Sequence, residues 1–247
     1  NNKLHMIVGL AGHEVNSLVS IRMNDTTLTT GTSTNGGETV YTVTNSAYVN
    51  AGNNHNFGSG ALIRYTFHDG SQTAADGLAA ASLNSITADH KFKGIAYVYI
   101  EMIFDAEAFG GGIPNITYVV KGKDVYDPRT DAIGTTDAQR SNPALIARDY
   151  LTNTVYGLKA TASEINDTTN AGGFAAAANV CDQTITSDTR YTANGFTNYS
   201  SDGEKVLQGV LTAMAGKISY VNGKFNIFAG ASQTPSLTIT DDDLLQP

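Results

Sequence analysis

Gly94-Ile95-Ala96-Tyr97-Val98-Tyr99-Ile100-Glu101-Met102-Ile103-Phe104 decides how this chain folds. Its β-branched and aromatic side chains suit a pleated surface and lose rotamer freedom in a helix. No capping residue opens it, so it predicts the strongest strand of the molecule. Upstream, residues 4–12 (LHMIVGLAG) and 15–23 predict two more strands, with Leu18, Val19 and Ile21 supporting the second and Asn24-Asp25 turning the chain after it. Residues 61–67 (ALIRYTF) alternate and predict another, closed by the turn signal His68-Asp69-Gly70-Ser71. The alanine-rich residues 74–83 predict a short helix. Downstream, Gly110-Gly111-Gly112 breaks the chain, and residues 116–120 predict a further strand ending at Lys121-Gly122-Lys123. Residues 26–60 are rich in Thr, Asn and Gly. Val40, Tyr41 and Val43 predict one strand there, and the rest reads as a variable loop or edge hairpin. Residues 1–128 therefore read as β-dominated.

The pattern changes after Asp127-Pro128. Asn142-Pro143 predicts a helix start, with Asn as N-cap and Pro at the first helical position, where its missing N–H costs nothing. That helix runs to about Leu151, with Ile146 and Tyr150 on one face. Ser163 is a candidate cap for a short helix around Ile165, and residues 174–181 (FAAAANVC) predict another helix. Ser201-x-x-Glu204 reads as a capping box. Val206, Leu207, Val210, Leu211 and Met214 then mark one helical face, and Gly216 is a candidate C′ residue. Asn222-Gly223 between two apolar runs predicts a hairpin, because both central residues of a type I′ turn need positive φ. The chain thus divides into a β-rich domain, 1–128, an α+β domain, 129–228, and a remainder, 229–247. Pro128 and Asn142-Pro143 are expected to be hinge points.

Composition narrows the partners. The 247 residues hold 15 Lys and Arg against 23 Asp and Glu, a net charge of −8. With no basic run, a groove that neutralises phosphates is not expected. Cys181 is the sole cysteine, so no intrachain disulfide or cysteine-based metal site can form, and it reads as a small buried apolar residue. No apolar stretch reaches the length of a membrane span. The absence of an initial Met and the ending Leu244-Leu245-Gln246-Pro247 lead us to expect a portion of a longer chain.

Catalytic patterns are sparse. His13-Glu14 would start a zinc-protease motif, but the second His would stand at position 17, which is Ser17. His5, His55, His68 and His90 show no ligand spacing and read as surface or satisfied polar residues. No nucleophile elbow, P-loop or dinucleotide fingerprint occurs, and Gly110–Gly112 reads as a flexible turn. Asp241-Asp242-Asp243 is a candidate for a hard cation, though acidic residues opening a helix explain it as well. We expect no catalytic, cofactor-binding or metal residue and no cofactor. Two other readings compete with a structural role. A glycan or cell-wall hydrolase needs a concave pocket with two carboxylates or a metal, and the lack of Trp weighs against it. A receptor-binding module needs exposed loop aromatics, for which Tyr41, Tyr48 and Phe57 are the candidates.

A series of motifs points elsewhere. In order, they are HMIVGLAGHEV (5–15), DGSQ (69–72), DHKFKGIAYV (89–98), GIPN (112–115), GKDVYDPRT (122–130), NPAL (142–145), DYL (149–151), YGL (156–158) and ANVCD (178–182). Gly195 within YTANGF, the capped helix, Gly223-Lys224 and Ala229-Gly230 complete it. The series resembles the tip attachment protein J family of lambda-like siphophages, in the hub region of those long chains. The most specific part is VYDPRT followed by NPALIARDYL and YGL. The sequence departs from the family where a Trp is expected shortly before Asp89-His90, and at the divergent residues 26–60. The resemblance implies an α+β, β-rich fold with a tube-forming hub β-barrel domain (1–128) and an adjoining α+β domain (129–228), similar to phage baseplate hub proteins, with 229–247 beginning a further β-barrel domain or a linker. It implies a structural, non-enzymatic virion protein at the distal end of the tail: a homotrimer that contacts the distal tail protein, the tape-measure protein and other tail-tip proteins. DNA would pass its lumen without specific binding, and the host receptor would meet only other parts of the full chain.

Overall fold

The computed structural model describes residues 3–35 and 37–232, and it divides into two compact units between Lys123 and Asp124. The first unit runs β1 (Lys3–Ala11), β2 (Ser17–Met23), β3 (Thr26–Thr27), β4 (Thr30–Asn35), β5 (Glu38–Val43), β6 (Ile63–His68), α1 (Gly77–Ser82), β7 (Ala96–Ile103), α2 (Ala106–Phe109) and β8 (Ile116–Lys121). Five strands form one antiparallel sheet in the order β1-β7-β6-β5-β4, and β3-β2-β8 form a second.

β7 carries the first unit. All eight of its residues are buried, and it pairs with β1 on one side (Leu4 opposite Met102) and β6 on the other (Tyr65 opposite Ile100). Successive side chains of a strand point to opposite faces, so an unbroken apolar run means that both faces are covered. Val98, Ile100 and Met102 meet Ile21 and Met23 of the smaller sheet. Tyr97 and Tyr99 point the other way and pack with Leu78 and Ala79 of α1 and Val40 of β5. The first unit is thus a small two-sheet sandwich with a short helix on its outer face.

The family resemblance implies a barrel for this region; among the described residues both sheets are open. β8 pairs with β2 and not with a strand of the larger sheet. β1 and β4 are therefore hydrogen-bonded on one side only. The 26–60 stretch is an edge hairpin: β4 and β5 pair from Thr30–Val43 to Asn35–Glu38, which makes β4 the outermost strand. α2 was not expected. Asp105 starts it by accepting from the N–H groups of Glu107 and Ala108.

The second unit begins earlier than the expected boundary at Pro128, because Val125 is already part of its core and Asp127 part of its polar network. It contains β9 (Tyr126–Asp127), β10 (Ala132–Ile133), α3 (Asp137–Arg140), α4 (Pro143–Thr152), α5 (Phe174–Cys181), β11 (Thr184–Ile185), β12 (Asp188–Thr189), α6 (Gly203–Ala213), β13 (Lys217–Val221) and β14 (Lys224–Phe228). α4, α5 and α6 enclose Leu145, Leu151, Phe174, Cys181, Leu211 and Met214, and Ile227 of β14 closes the core. Pro128 lies in the tight β9–β10 connection within the second unit, and Asn142 caps α4 from a fully buried position; neither stands at the junction between the units. The turn Asn222-Gly223 has positive φ at both residues, as its type demands. Of the expected domain 229–247, residues 233–247 lie outside the described residues, as does Asp241-Asp242-Asp243.

Helix ends correct two expectations. Ser201 does not cap α6: the helix starts at Gly203, so the N-cap position falls on Asp202, whose side chain accepts from the Glu204 N–H. The short 3₁₀ turn Ala162–Glu164 is boxed by Thr161 and Glu164, not by Ser163. At the far end of α6, the left-handed residue is Ala215 (φ 47°), one before the expected Gly216. The N–H groups of Ala215 and Gly216 return to the carbonyls of Thr212 and Leu211, a Schellman closure with the wrong residue at its left-handed position. Ala215→Gly is therefore expected to raise stability by about 1 kcal/mol, because a Cβ is disfavoured at positive φ. The check is the urea unfolding midpoint of the two proteins, and an unchanged or lower midpoint would refute it.

Candidate functional site

Two buried polar networks stand out, one in each unit. In the second unit, the most specific sequence motifs converge. Arg129 of the DPR triplet forks onto Asp127, with Nε 2.9 Å from Oδ1 and Nη2 2.7 Å from Oδ2. Its Nη1 donates to Asp182 Oδ2 at 2.6 Å. Asn142 donates to the other oxygen of Asp182 at 2.9 Å and to the Ala178 carbonyl at 3.0 Å, while its own oxygen accepts from the N–H groups of Ala144 and Leu145. Gln139 Nε2 completes the set on Asp127 at 3.0 Å. The network ties the β9–β10 turn to the start of α4 and the end of α5. Burial alone would raise the Asp127 carboxyl, but the hydrogen bonds from Arg129 and Gln139 hold it down at about 2. Nearby, Arg148 forks onto Asp167 and stacks 4.1 Å above the Tyr126 ring. These groups satisfy one another. The chemistry available to them is cross-linking, since a charge held this firmly in place by an opposite charge is a poor acid or base.

Cys181 is fully buried in the same core, 3.9 Å from the Met214 sulfur, and burial pushes its thiol up to about 11. A nucleophilic cysteine needs the opposite shift and some exposure.

The first unit's network lies on the outward face of the large sheet, and strand register builds it. His5, Glu101 and Arg64 form one row across β1, β7 and β6. Glu101 is fully buried. It is ion-paired to Arg64 Nε, and its other oxygen accepts from the Tyr99 hydroxyl at 2.9 Å. Tyr99 in turn meets His5 Nδ1 at 2.8 Å. Desolvation works against the Glu101 anion, yet Arg64 and the other donors keep its pKa below the ordinary value.

The next row but one carries Tyr97 opposite His68, and continuing the Tyr41–Tyr65 register places Glu38 beside His68. Asp76, the N-cap of α1, comes down onto this row. His68 Nε2 lies 2.9 Å from Asp76 Oδ2 and 3.8 Å from Glu38 Oε2. The expectation that the histidines lack ligand partners holds along the chain but not in space: Glu38, His68 and Asp76 form a three-donor cluster among the described residues. No spacing rule finds it, because its members come from two strands and a helix cap.

The other candidates separate. His13 Nδ1 sits 2.8 Å from its neighbour Glu14's carbonyl, and His90 Nδ1 meets the Thr87 hydroxyl at 3.0 Å. His55 is exposed. The aromatic residues weighed for receptor contact are packing residues: Tyr48 is buried, Tyr41 stacks on Tyr65 at 5.0 Å, and Phe57 lies between Lys3 and Arg64, 5.1 and 4.4 Å from its ring centre. An open groove of about 410 Å³ runs beside the start of β1, lined mainly by Leu4, Met102, Phe104, Phe109, Ile113 and Pro114. No carboxylate lines it, so it lacks what a glycosidase pocket needs.

No protein-family model and no curated protein matches this chain. No described helix is long and apolar enough to cross a membrane.

Proposed function

We propose that this chain is the hub portion of a phage tail-tip protein: a structural virion component that assembles as a trimer, joins the tail tube to the receptor-binding tip, and leaves a lumen for DNA. The observation that carries the reading is what the motif residues do. Asp127, Arg129, Asn142 and Asp182, drawn from three separate motifs of the series, spend their polar groups on one another and on backbone, as architecture requires and catalysis does not. The open sheets add support. A ring of subunits needs strand edges that pair with the next copy, and β1 and β4 each have a side without a ladder partner among the described residues. Beside β1, Leu4, Ile7, Phe104 and Ile113 are exposed apolar residues of the kind a subunit contact covers. The tube-forming barrel belongs to this proposal as a product of assembly, with strands of several copies closing what one chain leaves open. The net charge of −8 suits a conduit that repels DNA rather than binding it.

The test is the native mass of the full-length protein together with antibody labelling of virions. A trimer and label at the tail tip are expected. A monomer at every concentration, or label confined to the capsid or the side of the tail, would overturn the proposal.

A further inference from the structure

The geometry points to a divalent transition-metal site formed by Glu38, His68 and Asp76 on the outward face of the large sheet. The inference is independent of the tail-hub reading.

Each carboxylate is fixed by one oxygen and offers the other. Glu38 Oε1 accepts from the Gly77 N–H at 2.7 Å, and Asp76 Oδ1 accepts from the Ala79 N–H at 2.7 Å. The first turn of α1 thus holds both groups. Glu38 Oε2 is left over, and Asp76 Oδ2, which also accepts from the Thr66 hydroxyl, faces His68 Nε2. The donor atoms lie within 4.8 Å of one another. Two ligands each about 2.1 Å from one ion sit about 3.0–3.4 Å apart. The 2.9 Å and 3.8 Å separations from His68 bracket that range, so small side-chain adjustments suffice. Asp76 is oriented further by the Thr66 hydroxyl, the kind of outer partner that fixes a metal-binding carboxylate.

Two orphaned oxygens mark the same spot. Glu38 Oε2 is buried with no hydrogen-bond partner, and so is the Tyr97 hydroxyl. Tyr97 is 1% exposed and stacks on His68 with ring centres 4.7 Å apart. Buried polar atoms without partners are rare, and two around one cluster call for a ligand. Two carboxylates facing each other also need a compensating positive charge. One imidazole and two carboxylates suit zinc or manganese better than magnesium, which takes oxygen ligands and keeps its water. His68 and Glu38 retain 13% and 20% side-chain exposure, leaving a way in.

The test is zinc titration of the untagged full chain by calorimetry, with nitrogen-15 spectra of the histidine rings. We expect about one zinc ion per chain at this site, a shift confined to the His68 imidazole, and a higher melting temperature with zinc but not with equal magnesium. Glu38→Gln and Asp76→Asn keep the hydrogen bonds to Gly77 and Ala79 while removing charge, and each is expected to weaken binding by about 100-fold. Circular dichroism checks that both variants fold. No binding to the wild-type chain would overturn the assignment, leaving a shared proton or water between the carboxylates. Binding that survives both substitutions, or that magnesium matches, would also overturn it.

Discussion

Replacing Arg129 by alanine is expected to destabilise the second unit by about 3–4 kcal/mol at neutral pH, because it strands a buried charge. Asp127 is 1% exposed and has Arg129 as its only ion-pair partner among the described residues. The same deletion frees Asp182, which Asn142 also needs in place. The readout is hydrogen-exchange protection of α4 and α5, which reports this unit separately from the other. The pH dependence gives a second signature. In the wild type Asp127 is depressed to about 2 from 3.8, so its stabilisation is present above the unfolded value and is lost as pH falls toward 2. Without Arg129, burial raises the carboxyl, and stability is instead lost as pH rises. The two proteins should therefore converge in stability on acidification. A constant difference at all pH values would mean that Arg129 acts by packing alone.

The second large effect is expected at Arg64. Its alanine variant leaves Glu101, buried at the centre of the sheet, with the neutral donors Ser82 and Tyr99 and with His5 as its neighbours, and should cost about 3 kcal/mol at neutral pH. Glu101 is depressed in the wild type, so its contribution is present above about 4.5, the unfolded value, and fades as pH falls through the folded one. In the variant the sign reverses, and protonation rescues. The double change Arg64→Met with Glu101→Leu removes both charges and is expected to recover most of the loss, since a buried pair gains little over apolar residues of similar size. Exchange protection of β6 and β7 is the measurement. A double variant as unstable as Arg64→Ala would show that the row needs its polar atoms for register rather than for charge balance.

What the sequence discloses here follows the range of the interaction. β7, α4, α5 and the β13–β14 hairpin are legible because their causes are local: an apolar run, an Asn-Pro start, an alanine-rich face, an Asn-Gly turn. The α6 start is misread by one residue, because Ser201 and Asp202 are adjacent and both competent caps. α2 had a signal in Asp105 before Ala106, but at four residues it carries no periodicity to confirm it. The failure of the barrel to close depends on which strand β8 chooses, and no pattern within β8 encodes that. The Arg129 network is half-legible: its motifs are visible in order, but not their convergence. Glu38, His68 and Asp76 are illegible, since a register between β5 and β6 and the position of α1 bring them together.

The pairing of β1 with β7 sets the order in which the first unit can assemble. Leu4 waits for Met102, and nothing between them in the chain offers β1 its partner. During translation at roughly 5–20 residues per second, β1 waits about 5–20 s for β7 to be made. Its Leu4, Met6, Ile7, Val8 and Leu10 are then bare hydrophobic surface on a ribosome-bound chain. In the second unit the α4–α5 and β13–β14 contacts join elements close in sequence and carry a shorter delay, although α4 also packs on the later α6. Slow, non-local closure is the kinetic penalty of a buried central strand that arrives late. In a cell crowded with copies of the same nascent chain, that interval is when chaperone binding or premature strand exchange between copies competes with folding.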